Sequence, residues 1–346
     1  MNDFTIIITT FNRPKCLLRN LKFLLSYDIN FKIIIADSSN DTNKNDELKT
    51  LIKENNVSFK KFPHDMKVAQ KISEAIKYVS TKYCVLCADD DFIIPTSIIE
   101  CINFLKNNAD YASCHGKYYF HTSFEYISRF GIVFRDHSPV LIGSEDDSSF
   151  ARVNTFIDKD KLAAQYPFYA VFETINLKIV WEQTAIYAND WFFNEYFSTI
   201  VSLLIGKMKT LPIFYMSREP NSYDWQNQEK IEILFSEKAK MRCSEGIVKN
   251  FSRYYNNLDL DQIKKKHLNI LEKKKQRAII KKNKNGPNIN KDNILKYCFR
   301  RFFYLYLKII FRLNNQLNSD SVKKLENLII ESGDPINEVK ESREQY

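Results

Sequence analysis

Three short apolar runs in the N-terminal third of the chain each end in a polar cluster, and this arrangement admits only a few folds. Phe4 to Thr10 (FTIIITT) runs into Thr9, Thr10, Asn12 and Arg13. Phe31 to Ala36 runs into Asp37, Ser38, Ser39, Asn40 and Asp41, and Tyr83 to Cys87 runs into Asp89, Asp90 and Asp91. Short, near-continuous apolar runs without alternation are the pattern of strands buried on both faces. Helical signals separate them. Pro14 opens a helix with Leu17, Leu18, Leu21, Leu24 and Leu25 at helical spacing. Glu47 to Asn55 and Val68 to Val79 read as two more helices, with a short strand around Val57 to Phe62 between them, and Pro95 begins the next. The alternation predicts an α/β protein with a mostly parallel sheet flanked by helices. Ligands of such sheets bind beyond the carboxyl ends of the strands, so the three clusters should converge on one crevice.

Further along, Tyr111 to Leu141 is aromatic and strand-like, and Gly143 to Ser149 is an acidic loop. Lys161 to Ile200 should hold at least two helices, with an apolar stretch from Trp191 ending at Gly206. Leu211 to Met216 reads as a short strand, followed by Arg218 and a polar segment to Trp225. The chain is therefore expected to divide into a unit over residues 1–225 and a helical, basic extension over 226–346. Charge supports the division: Asp261 to Arg312 holds 16 Lys or Arg against Asp261, Glu272 and Asp292, so the remainder of a chain with net charge +9 is acidic.

Asn2 and Asp3 lead straight into the first apolar run, which does not read as a secretory leader, and no apolar stretch is long enough for a membrane span. The 7 cysteines are scattered through apolar patterns, which suits a reducing compartment. Cys84 and Cys87 form a CxxC pair, but they sit inside an apolar strand with no second pair at zinc spacing, and they read as core thiols. His64, His115, His121 and His137 show no ligand spacing. The expected location is the cytoplasm.

Asp89, Asp90 and Asp91 would repel one another at a strand end unless a cation or another positive partner offset them. Mg²⁺ and Mn²⁺ take oxygen ligands and commonly use one or two carboxylates together with substrate phosphates. An Asp ahead of a helix can also simply cap it, the role expected for Asp91. Asp37 with Ser39 and Asn40 could equally form a loop-stabilising Asx-type turn.

The segments Ile6 to Arg13 (IIITTFNR), Ile33 to Asp41 (IIIADSSND) and Tyr83 to Pro95 (YCVLCADDDFIIP) resemble, in order, three signatures of the family 2, inverting, GT-A-fold glycosyltransferases. The resemblance implies a sugar transferase that uses a nucleotide-sugar donor and Mg²⁺ or Mn²⁺. It implies a metal site at Asp90 with Asp89 and Asp91, and places Asp89 also against ribose or donor sugar. Aligned on Pro95, Ala88 stands where many relatives carry a further acid, so a single acid, Asp90, is left as the main ligand. Asp37 and Ser39 would read the base or ribose. Thr9, Phe11, Arg13, Lys71 and Arg218 would line the donor site, although Lys71 could be a surface lysine, Phe11 a core ring, and Arg218 a surface partner of Glu219 or Asp224.

An inverting transferase needs a base for the acceptor hydroxyl. Asp190, before the Trp191 helix, is the first choice, with Glu195 next and Glu173 and Glu182 behind; Asp190 could instead cap that helix. Acceptors could be a glycan, a lipid-linked glycan or a protein. The basic, aromatic segment 261–313 suits an anionic membrane surface at the cytoplasmic leaflet, or packing on the domain or on a second subunit in a homo-oligomer. No nucleic-acid motif accompanies the charge. Two other readings stay open: a nucleotidyltransferase or other phosphoryl-transfer enzyme, and a non-catalytic nucleotide-sugar-binding protein.

Overall fold

The computed structural model describes residues 4–40, 45–55, 57–121, 134–136, 144–158, 167–189, 191–218, 236–253, 255, 259–284 and 319–332. Strand β1 (Phe4–Thr10) leads to helix α1 (Pro14–Leu25), β2 (Lys32–Asp37), α2 (Asp46–Glu54), β3 (Ser58–Lys61), α3 (Val68–Ile76) and β4 (Tyr83–Ala88). Next come β5 (Phe92–Ile93), α4 (Pro95–Asn107), β6 (Tyr111–His121), β7 (Phe134–Asp136) and α5 (Ser149–Asp158). A 3₁₀ turn (Pro167–Tyr169) precedes β8 (Val171–Glu173), α6 (Thr174–Tyr187), α7 (Trp191–Ile205) and β9 (Lys207–Arg218). The described chain ends with α8 (Glu237–Ser252), α9 (Leu260–Lys284) and α10 (Ser319–Ser332).

The strands form one sheet in the order β3-β2-β1-β4-β8-β6-β9-β5, with β7 on β6. Strands β3, β2, β1 and β4 are mutually parallel. Because β8 is antiparallel to both β4 and β6, and β9 is parallel to β6, the strands β4, β6 and β9 also share one direction. Thr10, Asp37, Ala88 and Arg218 therefore all reach the same edge. The sheet is mostly parallel, as expected, with β8 inserted against the grain. Ile6, Ile7 and Ile8 of β1 and Cys84 and Val85 of β4 are fully buried, as strands covered on both faces must be.

Two local differences from expectation matter for the site. The last strand is longer than Leu211 to Met216 and carries Arg218 at its end rather than beyond it. Helix α4 begins at Pro95 with Ile94 in the capping position and no side-chain cap, so Asp91 does not cap it. The acid is separated from the helix by β5, whose Phe92 and Ile93 pair with Ser217 and Met216 of β9.

The C-terminal helices pack on this unit. Gly246 of α8 lies where a Cβ would meet Cβ and Cγ of Tyr187 on α6 and the edge of the Phe197 ring on α7. In α9, His267 and Leu271 are buried, and His267 Nδ1 lies 3.0 Å from the Tyr196 hydroxyl. The N-terminal half of the basic segment thus packs on the domain, while 285–313 lies outside the described residues. Helix α10 docks on the far end of α1: the Tyr27 hydroxyl donates to Ser321 Oγ at 3.0 Å, and Lys324 Nζ donates to the Ser26 carbonyl at 2.9 Å. Among the described residues no helix is long and apolar enough to cross a membrane.

Candidate active site

The carboxyl ends of β1, β2 and β4 are tied together by side chains from all three. Thr10 Oγ1 donates to Asp89 Oδ2 at 2.7 Å. Two residues on, Asn12 takes a left-handed backbone (φ 53°), which Asn tolerates better than most residues. That bend lets Asn12 N donate to Ser39 Oγ at 2.7 Å and its Oδ1 accept from Asn40 N at 2.9 Å. Arg13 follows at the start of α1. It makes no side-chain cap there, and its Nη1 instead donates to Asp89 Oδ1 at 2.9 Å and Asp90 Oδ2 at 3.1 Å.

Lys71 is not a surface lysine. It is 1% exposed, and its Nζ donates to the Thr10 carbonyl at 2.9 Å and to Ser38 Oγ at 2.8 Å, bridging β1 and β2. Burial pulls its pKa down to about 8, against the pull of Asp89 and Asp37. Asp37 accepts from Ser39 N at 2.8 Å and from the Ser39 hydroxyl, so the Asx-type turn is formed. Its second oxygen faces Lys61 Nζ at 3.3 Å.

The three aspartates have separate partners. Asp89 is fully enclosed, and burial with the neighbouring Asp90 charge lifts its pKa to about 6, although Arg13, Thr10 and Lys71 oppose the rise. Asp90 shares Arg13 with it. Asp91 is paired with Arg218 Nε at 3.1 Å across the sheet, and the Arg218 guanidinium lies 5.2 Å from the Tyr169 ring centroid. Burial opposes the Arg218 charge, but Asp91, Tyr169, Glu195 and Asp90 outweigh it and raise its pKa. Arg218 thus answers Asp91, and Glu219 and Asp224 lie outside the described residues.

Glu195, in the first turns of α7, belongs to this field, since it acts on both Arg218 and Tyr169. Asp190 lies outside the described residues, as do Trp225 and His137. Glu173 stands opposite Tyr83 at the other end of β4 and pairs with Lys82, so it is remote from the aspartates. Glu182 lies within 4.0 Å of Lys178 on the half-exposed face of α6. Phe11 is 6% exposed, which leaves little of its ring open, and Thr9 is less buried than Thr10. Cys84 is a buried thiol, its pKa pushed up to about 12 by burial. His115 is a buried core residue with Nδ1 2.7 Å from the Gly116 carbonyl.

Asn20, Lys61 and Tyr169 were not legible as site residues, although an Asn within the Leu17, Leu21, Leu24 stripe was a visible anomaly. A groove of about 450 Å³ lies elsewhere, between α5 and α9, lined by Phe150, Asn154 and Lys266 among others.

Among the described residues no group of three or more His, Cys, Asp or Glu is arranged to hold a metal ion. One or two carboxylates beside a substrate phosphate are, however, the usual Mg²⁺ arrangement, and Asp90 with Asp89 fits that mode. Arg13 already places a positive charge between them.

Fold and site together define an α/β protein of the GT-A type, with carboxylates gathered at the carboxyl edge of a mostly parallel sheet. The model of glycosyl transferase family 2 matches residues 5–177, and the chain belongs to that family. Among solved structures, TarS residues 1–349 from S. aureus is similar in fold at 14% identity, with 99% of this chain and 91% of that one covered and a TM-score of 0.50. A longer TarS structure is 14% identical over 75% of this chain, with a TM-score of 0.44; the chain spans 44% of its length. The mannosyltransferase PcManGT from Pyrobaculum calidifontis, solved with GDP-Man and Mn²⁺, is 9% identical over 95% of this chain and 86% of that one, with a TM-score of 0.41. None of the curated proteins compared with the chain matches it.

Proposed function

We propose that the chain is an inverting glycosyltransferase that moves a sugar from a nucleotide-sugar donor to an acceptor hydroxyl. The observation that carries this reading is the joined carboxyl edge, where Asp37, Asp89 and Asp90 stand around Thr10, Arg13 and Lys71. Asp37, held by Ser39 and Lys61, would accept hydrogen bonds from a base or ribose. Asp89 would contact ribose or donor sugar. Arg13 would turn toward the diphosphate as the donor enters, exchanging carboxylate for phosphate oxygens. Asp90 would hold Mg²⁺ or Mn²⁺, with Asp89 beside it; the ion supplies positive charge to the departing diphosphate. Asp91, engaged by Arg218, would fix the far side of the turn.

In the transfer, the acceptor oxygen forms its bond to the anomeric carbon as the diphosphate oxygen leaves on the opposite face, and a carboxylate takes the acceptor proton. Asp190 is the proposed base. Glu195 is its alternative, standing in the same electrostatic field as Arg218 and Tyr169. The unit 1–225 would carry this chemistry, and the basic residues of 261–313 would bring it to an anionic membrane or a lipid-linked or surface glycan.

The test is donor hydrolysis across UDP-, GDP-, CMP- and dTDP-sugars, with Mn²⁺ or with chelator, for the wild type and Asp90→Asn. Turnover of one donor class that needs the ion and is lost in the variant is expected. Absence of sugar-nucleotide turnover, or turnover of nucleoside triphosphates instead, would overturn the reading.

A further inference from the structure

Asn20 sits on the buried face of α1, among Leu17, Leu21 and Leu24, and is 1% exposed. An amide in that position costs free energy unless its polar atoms are bonded. Its Nδ2 donates to the Asp91 carbonyl at 2.5 Å and to the Ala88 carbonyl at 3.0 Å, with Cys87 Sγ at 3.6 Å. Its Oδ1 is buried without a hydrogen-bond partner among the described residues. The residue is thus held at this place for its donor alone.

Ala88 and Asp91 are the two ends of the turn that contains Asp89 and Asp90. The turn is closed by one backbone bond of its own, Asp91 N to the Ala88 carbonyl at 3.3 Å. A single amide group therefore spans both ends of the segment that carries the acids. Arg13 lies seven residues earlier, at the capping position just before the same helix. It holds the carboxylates of Asp89 and Asp90, while Asn20 holds the backbone beneath them. Three adjacent acids repel one another and would otherwise splay the turn.

We propose that Asn20 is a positioning residue for the aspartate turn, fixing the backbone from Ala88 to Asp91 so that Asp89 and Asp90 face cation and nucleotide in one geometry. This role rests on the donor-site reading given above. It also explains how one short acid turn, lacking a carboxylate at Ala88, is kept ordered.

The test compares wild type with Asn20→Leu, which fills the same space without a donor, and Asn20→Ser, which keeps a shorter donor. Two quantities are measured on metal-free protein: hydrogen exchange at the Asp91 amide against the Ile6 to Ile8 amides, and binding of Mn²⁺ alone by titration. In Asn20→Leu the Asp91 amide should exchange at least about tenfold faster with the β1 amides unchanged, and Mn²⁺ should bind about tenfold more weakly. Asn20→Ser should fall between, and it alone decides by the same criteria if the leucine variant does not fold. Unchanged Asp91 exchange, or equal acceleration in β1, would make Asn20 an ordinary core residue and end the proposal. Failure of the wild type to bind Mn²⁺ would count against the cation reading, while the exchange measurement would still decide the role of Asn20.

Discussion

Asp89 uses both carboxylate oxygens, one on Thr10 and one on Arg13. Its pKa of about 6 reflects burial, with Thr10 among the groups holding it from going higher. Thr10→Val, which keeps the shape and removes the hydroxyl, should therefore raise that pKa further, an effect visible in a carboxylate-resolved infrared or NMR titration. On the proposed cation role, Asp90→Asn should lower kcat on the order of a hundredfold or more, because several kcal/mol of charge stabilisation at the leaving diphosphate would depend on it; a chelator should mimic the variant in the wild type. A third residue acts on stability alone. Burial depresses the His115 pKa to about 4, below its usual value near 6.5, so the folded state prefers the neutral ring. Its contribution is complete above about pH 6.5 and is lost as pH falls toward 4, by up to roughly 3 kcal/mol. His115→Gln should flatten the acid side of the melting-temperature profile between those values.

At the scale of elements, helix packing makes a separate prediction. Gly246 of α8 meets Tyr187 close to its backbone, and this neighbour cannot rotate away as the tip of a flexible side chain could. Gly246→Ala gains helix propensity of about 1 kcal/mol yet should still destabilise, by about 1–2 kcal/mol net, because α8 must move off α6 and α7. Urea denaturation would measure it. The same scale separates what could be read in the residue order from what could not. Strands β1, β2 and β4 were legible because parallel strands buried on both faces are written as unbroken apolar runs. The convergence of Asp37 with the aspartate turn followed directly. The antiparallel insertion of β8 was not legible, since a three-residue strand leaves no periodicity to detect. Nor was the pairing of Asp91 with Arg218, 127 positions apart. Only strand order brings those ends together, and β5, lying between Asp91 and α4, rules out the capping role expected for the aspartate. The burial of Lys71 was not legible either: in a helix of nine residues a lysine is as easily solvated, and only the packing of α3 against β1 and β2 encloses it.

For the molecule as a whole, α10 is the last described element and rests on the first helix, with Leu325 fully buried there. Removing residues from Ser319 onward should expose the Tyr27 end of α1 and lower the melting temperature by several degrees, as a loss of about 1–2 kcal/mol would. Circular dichroism melts of the shortened chain check it. The Tyr27 to Ser321 bond joins residues 294 positions apart, which also sets an order of events during synthesis. At about 5–20 residues per second, α1 leaves the ribosome roughly 15–60 s before its partner helix exists. Through that interval the Tyr27 end of α1 waits without the contacts that Ser321 and Lys324 later make.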